Sequence, residues 1–254
     1  MSIPRVLPCL LLKGEGLVKT TRFKDPRYVG DPRNAVRIFN EKEVDELILL
    51  DIAATLEDRR PQFDLIEEIV GEAFMPVAYG GGIRTLDDAR KIFACGVEKI
   101  VLGKQAVAAP GFIQDVARVF GSQSIVACID VKKSFLGAYE VRIGGGRERT
   151  GLDPATFAGR VEEMGAGEIL VNSIDRDGML EGYDLALIRS VAKAVRIPVI
   201  ASGGAGKLED FRAAVKDGGA SAVAAGSLFV FQGRHRAVLI SYPSAEALKR
   251  TFGE

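Results

Sequence analysis

The chain has 254 residues, 47% of them hydrophobic and 27% charged, with 34 Lys plus Arg against 34 Asp plus Glu. This length and apolar content suffice for one large core and match the usual size of an eight-unit α/β barrel. A formal net charge of zero argues against nucleic acid or an anionic membrane as a partner, so a phosphate ligand needs a local site.

In chain order, the N-terminal residues hold a short apolar run with no cleavage pattern, and no apolar stretch reaches the roughly eighteen residues of a membrane span. A cytoplasmic protein is expected. Apolar, β-rich runs at 6–12, 46–51, 76–80, 99–103, 124–130, 168–173, 198–202 and 222–226 predict eight strands. Helical periodicity falls between them at 64–74, 86–95, 110–120, 154–164, 184–195 and 208–217. Alternation without a low-complexity linker favours a parallel sheet, and eight units favour a (β/α)8 barrel over a doubly wound sheet. The segment 13–32 is long for a strand-to-helix loop, contains Gly14, Gly16 and Gly30, and is expected to act as a lid.

An internal repeat supports the barrel. FMPVAYGGGI at 74–83 overlays RIPVIASGGAG at 196–206, pairing Pro76 with Pro198 at an offset of 122. DELILLD from Asp45 overlays GEILVNS from Gly167 at the same offset. The expectation is one domain over 1–254 made of two four-unit halves, about 1–121 and 122–240, so that whatever one half binds the other can bind too.

The strand ends and the loops after them form the active face of such barrels. Gly80, Gly81 and Gly82 follow the third predicted strand and Gly203 and Gly204 the seventh, with Gly103-Lys104 and Gly226-Ser227 after the fourth and eighth. Glycine lets the backbone approach a phosphate, and a following helix start supplies N–H donors, so one phosphate site is expected per half. Tight turns need glycine too, but two sets related by the repeat are harder to dismiss.

Asp51, Asp130, Asp175 and Asp177 also fall at or beyond strand ends, as acid–base groups or as helix caps and turn residues. Asp130 leans functional because it closes the apolar run SIVACID. Lys19 is either a clamp on an anionic ligand or a solvated lysine. At the opposite face Arg5, Glu46, Lys99 and Glu168 begin the first, second, fourth and sixth strands, an alternating ring that reads as a stabilising plug. Cys9, Cys95 and Cys128 are odd in number and lie in apolar stretches, so they are expected as inert buried thiols rather than disulfides or a metal site. His235 is the single histidine, and nothing near it suggests a Cys–His pair.

CLLLK at 9–13, GDP at 30–32, DEL at 45–47, LDI at 50–52, GGGI at 80–83, FGSQ at 120–123, GAGEIL at 165–170, SIDRDG at 173–178 and IASGGAGK at 200–207 carry a resemblance. From about Arg5 to Phe231 the sequence resembles the cyclase subunit of imidazole glycerol phosphate synthase, a lyase of histidine biosynthesis. The resemblance implies a glutaminase subunit at the N-terminal face, an ammonia gate formed by Arg5, Glu46, Lys99 and Glu168, and transit of ammonia up the barrel to a bisphosphate substrate. It further implies a catalytic Asp130, substrate binding by Lys19, Asp51 and Asp177, phosphate binding by the glycine loops with Gly178, and no cofactor or metal.

The sequence departs from that pattern at the top face. Leu11 occupies the position of the first catalytic aspartate, at the end of the first strand, Gly103-Lys104 stands where the family usually has Asn-Thr, and Asn172 replaces a usual threonine. Leucine exchanges no protons, and loss of an acid–base group typically costs about 10² to 10⁴ in rate. The stretches CLLLK, DELILLDI and AAGSLFVFQGRHRAVLISYP resemble a paralogous branch associated with glycosyl amidation in surface-polysaccharide synthesis. There the implied role is ammonia supply to a separate ATP-dependent sugar amidotransferase, with the tail as an added docking surface or simply a final helix and edge segment. A genuine cyclase relying on Asp130 and a phosphosugar-binding barrel with no ammonia role are the alternatives.

Overall fold

Eight apolar strands pair in parallel and close on themselves in the computed structural model, which describes residues 3–233 and 235–253. The barrel strands are β1 (Arg5–Lys13), β2 (Leu47–Asp51), β3 (Val77–Gly80), β4 (Lys99–Leu102), β5 (Ile125–Lys133), β6 (Glu168–Ser173), β7 (Val199–Ser202) and β8 (Ala222–Ala225). Each pairs with the next, and β8 returns to β1 through Arg5 opposite Ala222, so the parallel sheet has no open side. The predicted (β/α)8 barrel is the observed fold.

Around it lie α1 (Pro32–Glu41), α2 (Phe63–Gly71), α3 (Leu86–Ala94), α4 (Gly111–Phe120), α5 (Pro154–Glu163), α6 (Leu185–Ala194), α7 (Leu208–Lys216) and α8 (Ala245–Phe252). Short helices Lys104–Ala108 and Ser227–Val230 precede α4 and α8. The strands' period of two splits their side chains between two cores. Val6, Leu10 and Leu12 of β1 join the layer beneath the helices, while Leu7 and Cys9 join Ile48, Val101, Val126, Leu170 and Ile200 inside the barrel.

Capping residues set where helices begin. Asp31 accepts from the Asn34 N–H with Pro32 opening α1, and Asp153 accepts from the Thr156 N–H with Pro154 opening α5. The repeat is visible at this level as well. Asp88 of α3 accepts from the Arg84 and Thr85 N–H groups, and Asp210 of α7, 122 residues on, accepts from those of Gly206 and Lys207. Each carboxylate thereby holds the glycine loop before its helix.

The structure differs from the expected elements in three places. The segment 13–32 is ordered as a hairpin, Gly16–Thr21 against Lys24–Gly30, whose first arm pairs antiparallel with β1 through Leu11 opposite Val18. A second hairpin, absent from the sequence expectation, extends β5: Tyr139–Ile143 pairs with it through Asp130 opposite Arg142 and then with Glu148–Arg149. Its strand signal is short and hidden between polar and glycine-rich stretches. Helix α1 was likewise not expected, although a Pro start and buried Ala35, Val36 and Phe39 mark it.

Of the two readings of the tail, the structure has the final helix and edge segment, with α8 following a short strand pair. Arg234, first residue of RHRAVLISYP, lies outside the described residues. Beyond it Ala237–Val238 pairs with Phe231–Gln232, and the Tyr242 hydroxyl donates to the Val6 carbonyl at 2.8 Å. The Tyr242 ring lies 5.2 Å from that of Phe229, which lies 6.1 Å from that of Phe211 in α7.

Because Thr85 and Asp88 cap α3 reciprocally, Thr85→Ala is expected to lower stability by about 1 kcal/mol, read as a lower urea midpoint with an unchanged slope.

Candidate functional site

The site is a column along the barrel axis. At its base, Arg5, Lys99 and Glu168 are the first residues of β1, β4 and β6, and Glu46 immediately precedes β2. Each lies two positions below an interior side chain, Leu7, Val101, Leu170 or Ile48, so all four project inward. Arg5 bonds to both Glu46 and Glu168, and Lys99 reaches Glu46 at 2.9 Å and Glu168 at 3.0 Å. The four groups form a closed ring in which each cation bridges both carboxylates. Burial pulls the Arg5 guanidinium down, and Glu168 and Glu46 more than offset it, so it stays charged.

Above the ring the axis is packed with alkyl groups, and the small side chains of Ala78, Ala222 and Ala224 fill the remaining positions. This apolar section separates the charged base from the mouth.

The mouth is a cavity of about 210 Å³, open to solvent at the strands' C-terminal ends. Leu11, Lys19, Asp51, Asp130 and Asp177 all line it, together with Gly81, Gly103, Lys104, Gly178, Gly203, Gly204, Gly226 and Ser227. Gly82 instead lines the adjoining cleft over Gly103 and Lys104. Asp130 and Leu11 are both half-buried in the same cavity, flanked by Leu50, Cys9 and Cys128. The Asp130 carboxylate accepts from the Asn172 amide at 3.1 Å and from the Cys128 thiol at 3.8 Å. Burial pushes its pKa up to about 6; the Asn172 bond opposes this and the Asp177 charge adds to it. An acid near that value both gives and takes protons close to neutrality.

Of the three cysteines expected to be buried, Cys9 is buried and Cys95 and Cys128 are partly so, and Cys9 and Cys128 line the cavity. Burial pushes the Cys9 thiol up to about 12, which keeps it protonated and unreactive.

Lys19 is not solvated. It is 7% exposed, with its ammonium 2.7 Å from Asp177, whose second oxygen accepts from the Thr20 hydroxyl at 2.8 Å. This pair ties the first hairpin to the loop after β6. Asp51 is held by its own turn, accepting from the Ala53 and Ala54 N–H groups and lying 2.8 Å from Arg59. Asp175 turns away from the mouth to accept from the Lys133 N–H, as a turn residue does.

The glycine loops are sterically enforced. A Cβ on Gly81 (φ +124°) would lie 2.4 Å from the Asp51 carbonyl, and one on Gly204 (φ +120°) 2.3 Å from that of Gly182. Gly103 and Gly226 open the short helices facing the cavity with no side-chain cap, and the buried Ser227 hydroxyl has no partner among the described residues. Arg142 and Arg147 also line the mouth and were missed, because their hairpin was missed.

Comparison with known proteins agrees with this architecture. A family described as histidine biosynthesis protein matches residues 5–235. A Pseudomonas aeruginosa protein provisionally named imidazole glycerol phosphate synthase subunit hisF2 is 54% identical over 244 residues, 96% of this chain and 97% of that protein. A Leptospira interrogans protein provisionally named as the HisF subunit is 48% identical over 99% of this chain and 100% of its own. The HisF subunit of Alkaliphilus metalliredigens is 45% identical over 90% of this chain and 91% of its own.

Asp130, raised above an ordinary carboxylate, is protonated more readily folded than unfolded, so its ionisation costs stability as pH rises from about 4 through 6. Asp130→Asn is therefore expected to raise stability at pH 8 by about 1–2 kcal/mol and to leave it unchanged below about pH 4, measured by urea unfolding at both.

Proposed function

Because the chain belongs to the histidine biosynthesis protein family, among relatives named as the HisF subunit, we propose that it is a barrel that receives ammonia from a partner glutaminase and delivers it at its mouth for amidation of a sugar, with cyclase chemistry lost. The observation that carries this reading is the contrast between the two ends of the axis. The ring of Arg5, Glu46, Lys99 and Glu168 is complete, whereas the mouth pairs Asp130 with Leu11.

In this reading the glutaminase docks at the N-terminal face, and one ring side chain swings aside to admit ammonia. The alkyl-lined axis favours neutral ammonia, since an ammonium ion there would lose its hydration without a partner. At the mouth Asp130 is the remaining proton acceptor, and Lys19, Asp51 and Asp177 frame the ligand. The two phosphate positions are Gly81, Gly82, Gly103 and Lys104 on one side and Gly178, Gly203, Gly204, Gly226 and Ser227 on the other, where backbone donors meet the oxygens. The acceptor is a sugar on a separate ATP-dependent amidotransferase. The family relatives are named as subunits, which supports a partner.

A genuine cyclase is the second reading, favoured by the pKa of Asp130, whose one carboxyl can serve as acid and base in turn.

Turnover of the bisphosphate cyclase substrate, driven by ammonium at alkaline pH, separates the two. The wild type is expected to be slower than Leu11→Asp by about 10² to 10⁴. Equal rates would overturn the accessory reading. Glutaminase binding, followed by size exclusion, is expected to be the same for the wild type and Leu11→Asp and weaker for Arg5→Glu, which sets a third carboxylate against Glu46 and Glu168. Absence of any complex with the wild type would leave a phosphosugar-binding barrel.

A further inference from the structure

Beside the mouth, between the two hairpins, lies a cleft walled by Lys13, Arg22, Lys24, Lys132, Arg142 and Arg147. Two carboxylates, Asp25 and Glu57, line the cleft with these six cations, and Glu140 pairs with Arg142 from outside it. In a chain with no net charge such a local surplus needs a counterpart. Among the described residues Lys13, Lys24, Lys132 and Arg147 have no carboxylate within salt-bridge distance.

Arg142 carries the argument further. Its side chain is 14% exposed, and one terminal nitrogen lies 3.1 Å from Glu140. Its Nε is buried without a partner among the described residues. A buried donor left unpaired is destabilising, and an anionic acceptor would remove that cost. Register explains its direction: Arg142 pairs with Asp130 across the hairpin, and cross-strand partners share a face, so Arg142 projects on the side of the mouth.

The opposite wall is the tip of the first hairpin, where Arg22 and Phe23 hold φ values of +52° and +62° as the two central residues of the turn between Thr21 and Lys24. Facing them, Gly146 (φ +79°) comes so near that a Cβ would lie 3.3 Å from the Phe23 ring. Phe23, Leu56, Arg142, Gly145 and Arg147 line both the cleft and the mouth, so the two spaces are continuous.

We propose that this cleft is an anion site distinct from the glycine loops, and that it takes the diphosphate of an organic diphosphate ester. Arg142, Arg147 and Lys24 hold the phosphate oxygens, and Phe23, Pro26 and Leu56 pack against the organic part. With Glu140 counted against Arg142, three positive charges remain in excess, which a diphosphate matches better than a single phosphate does, and guanidinium groups bind its oxygens in pairs. The site stands on this geometry alone and does not rest on ammonia delivery or on the loss of cyclase activity.

The test is titration calorimetry of the full chain with inorganic pyrophosphate and with inorganic phosphate at low salt. Four proteins are compared: wild type, Arg142→Gln/Arg147→Gln, Lys24→Gln/Arg147→Gln, and Ser227→Ala at a glycine loop. The strongest pyrophosphate site is expected to be kept in Ser227→Ala, even where a weaker site at the glycine loop is lost, and to be weakened about tenfold or more in each double variant. The Lys24→Gln/Arg147→Gln protein keeps the experiment decisive if loss of the Arg142–Glu140 pair impairs folding. Affinity of the strongest pyrophosphate site unchanged in the folded double variants, or lowered by Ser227→Ala as much as by them, would overturn the proposal, as would phosphate binding that the double variants weaken as much as they weaken pyrophosphate binding.

Discussion

Closure of a parallel sheet whose side chains alternate inward and outward is the constraint on which everything else rests. Once β8 pairs with β1, every second residue of every strand lies on one axis, and position along the strand becomes height within the molecule. On β1 the inward residues are Arg5, Leu7, Cys9 and Leu11 in ascending order, which are charged base, alkyl filling, cavity wall and mouth. A charge at the first position can meet only other first-position charges. That is why four residues from four strands form one ring without any sequence neighbour among them.

The same geometry explains what was legible beforehand. The eight apolar runs, and the clustering of Gly103, Asp130, Asp177 and Gly226 at one end, follow from strand period and chain direction, both written locally in the sequence. The direct pairing of Lys19 with Asp177 was not legible, because it depends on how the first hairpin folds back over the loop after β6. Nor was the capture of Asp51 by Arg59, a contact made inside one turn by an arginine that composition alone presents as solvated. The hairpin bearing Arg142 escaped notice because its strands are short and antiparallel in a chain whose other signals are parallel.

The two hairpins qualify the picture of a barrel as a rigid body with loose loops. Each continues a barrel strand past the rim with its ladder hydrogen bonds intact, so the walls beside the mouth are extensions of the sheet itself. Chemistry placed on them inherits the precision of the strands. Leu11 lies where β1 passes into its hairpin, paired both with Leu50 in the barrel and with Val18 in the extension. A side chain there shapes the mouth and the hairpin at once.

The bond from Tyr242 to the Val6 carbonyl joins residues 236 positions apart and lies beside the seam where β8 meets β1. During synthesis the first strand therefore waits for the last, with one flank unpaired until nearly the whole chain has emerged. Contacts of such sequence separation fold slowly. The tail thus acts as a latch on a seam that β8, ending at Ala225, has already closed, and a chain cut between β8 and Tyr242 would keep the barrel with that seam unfastened.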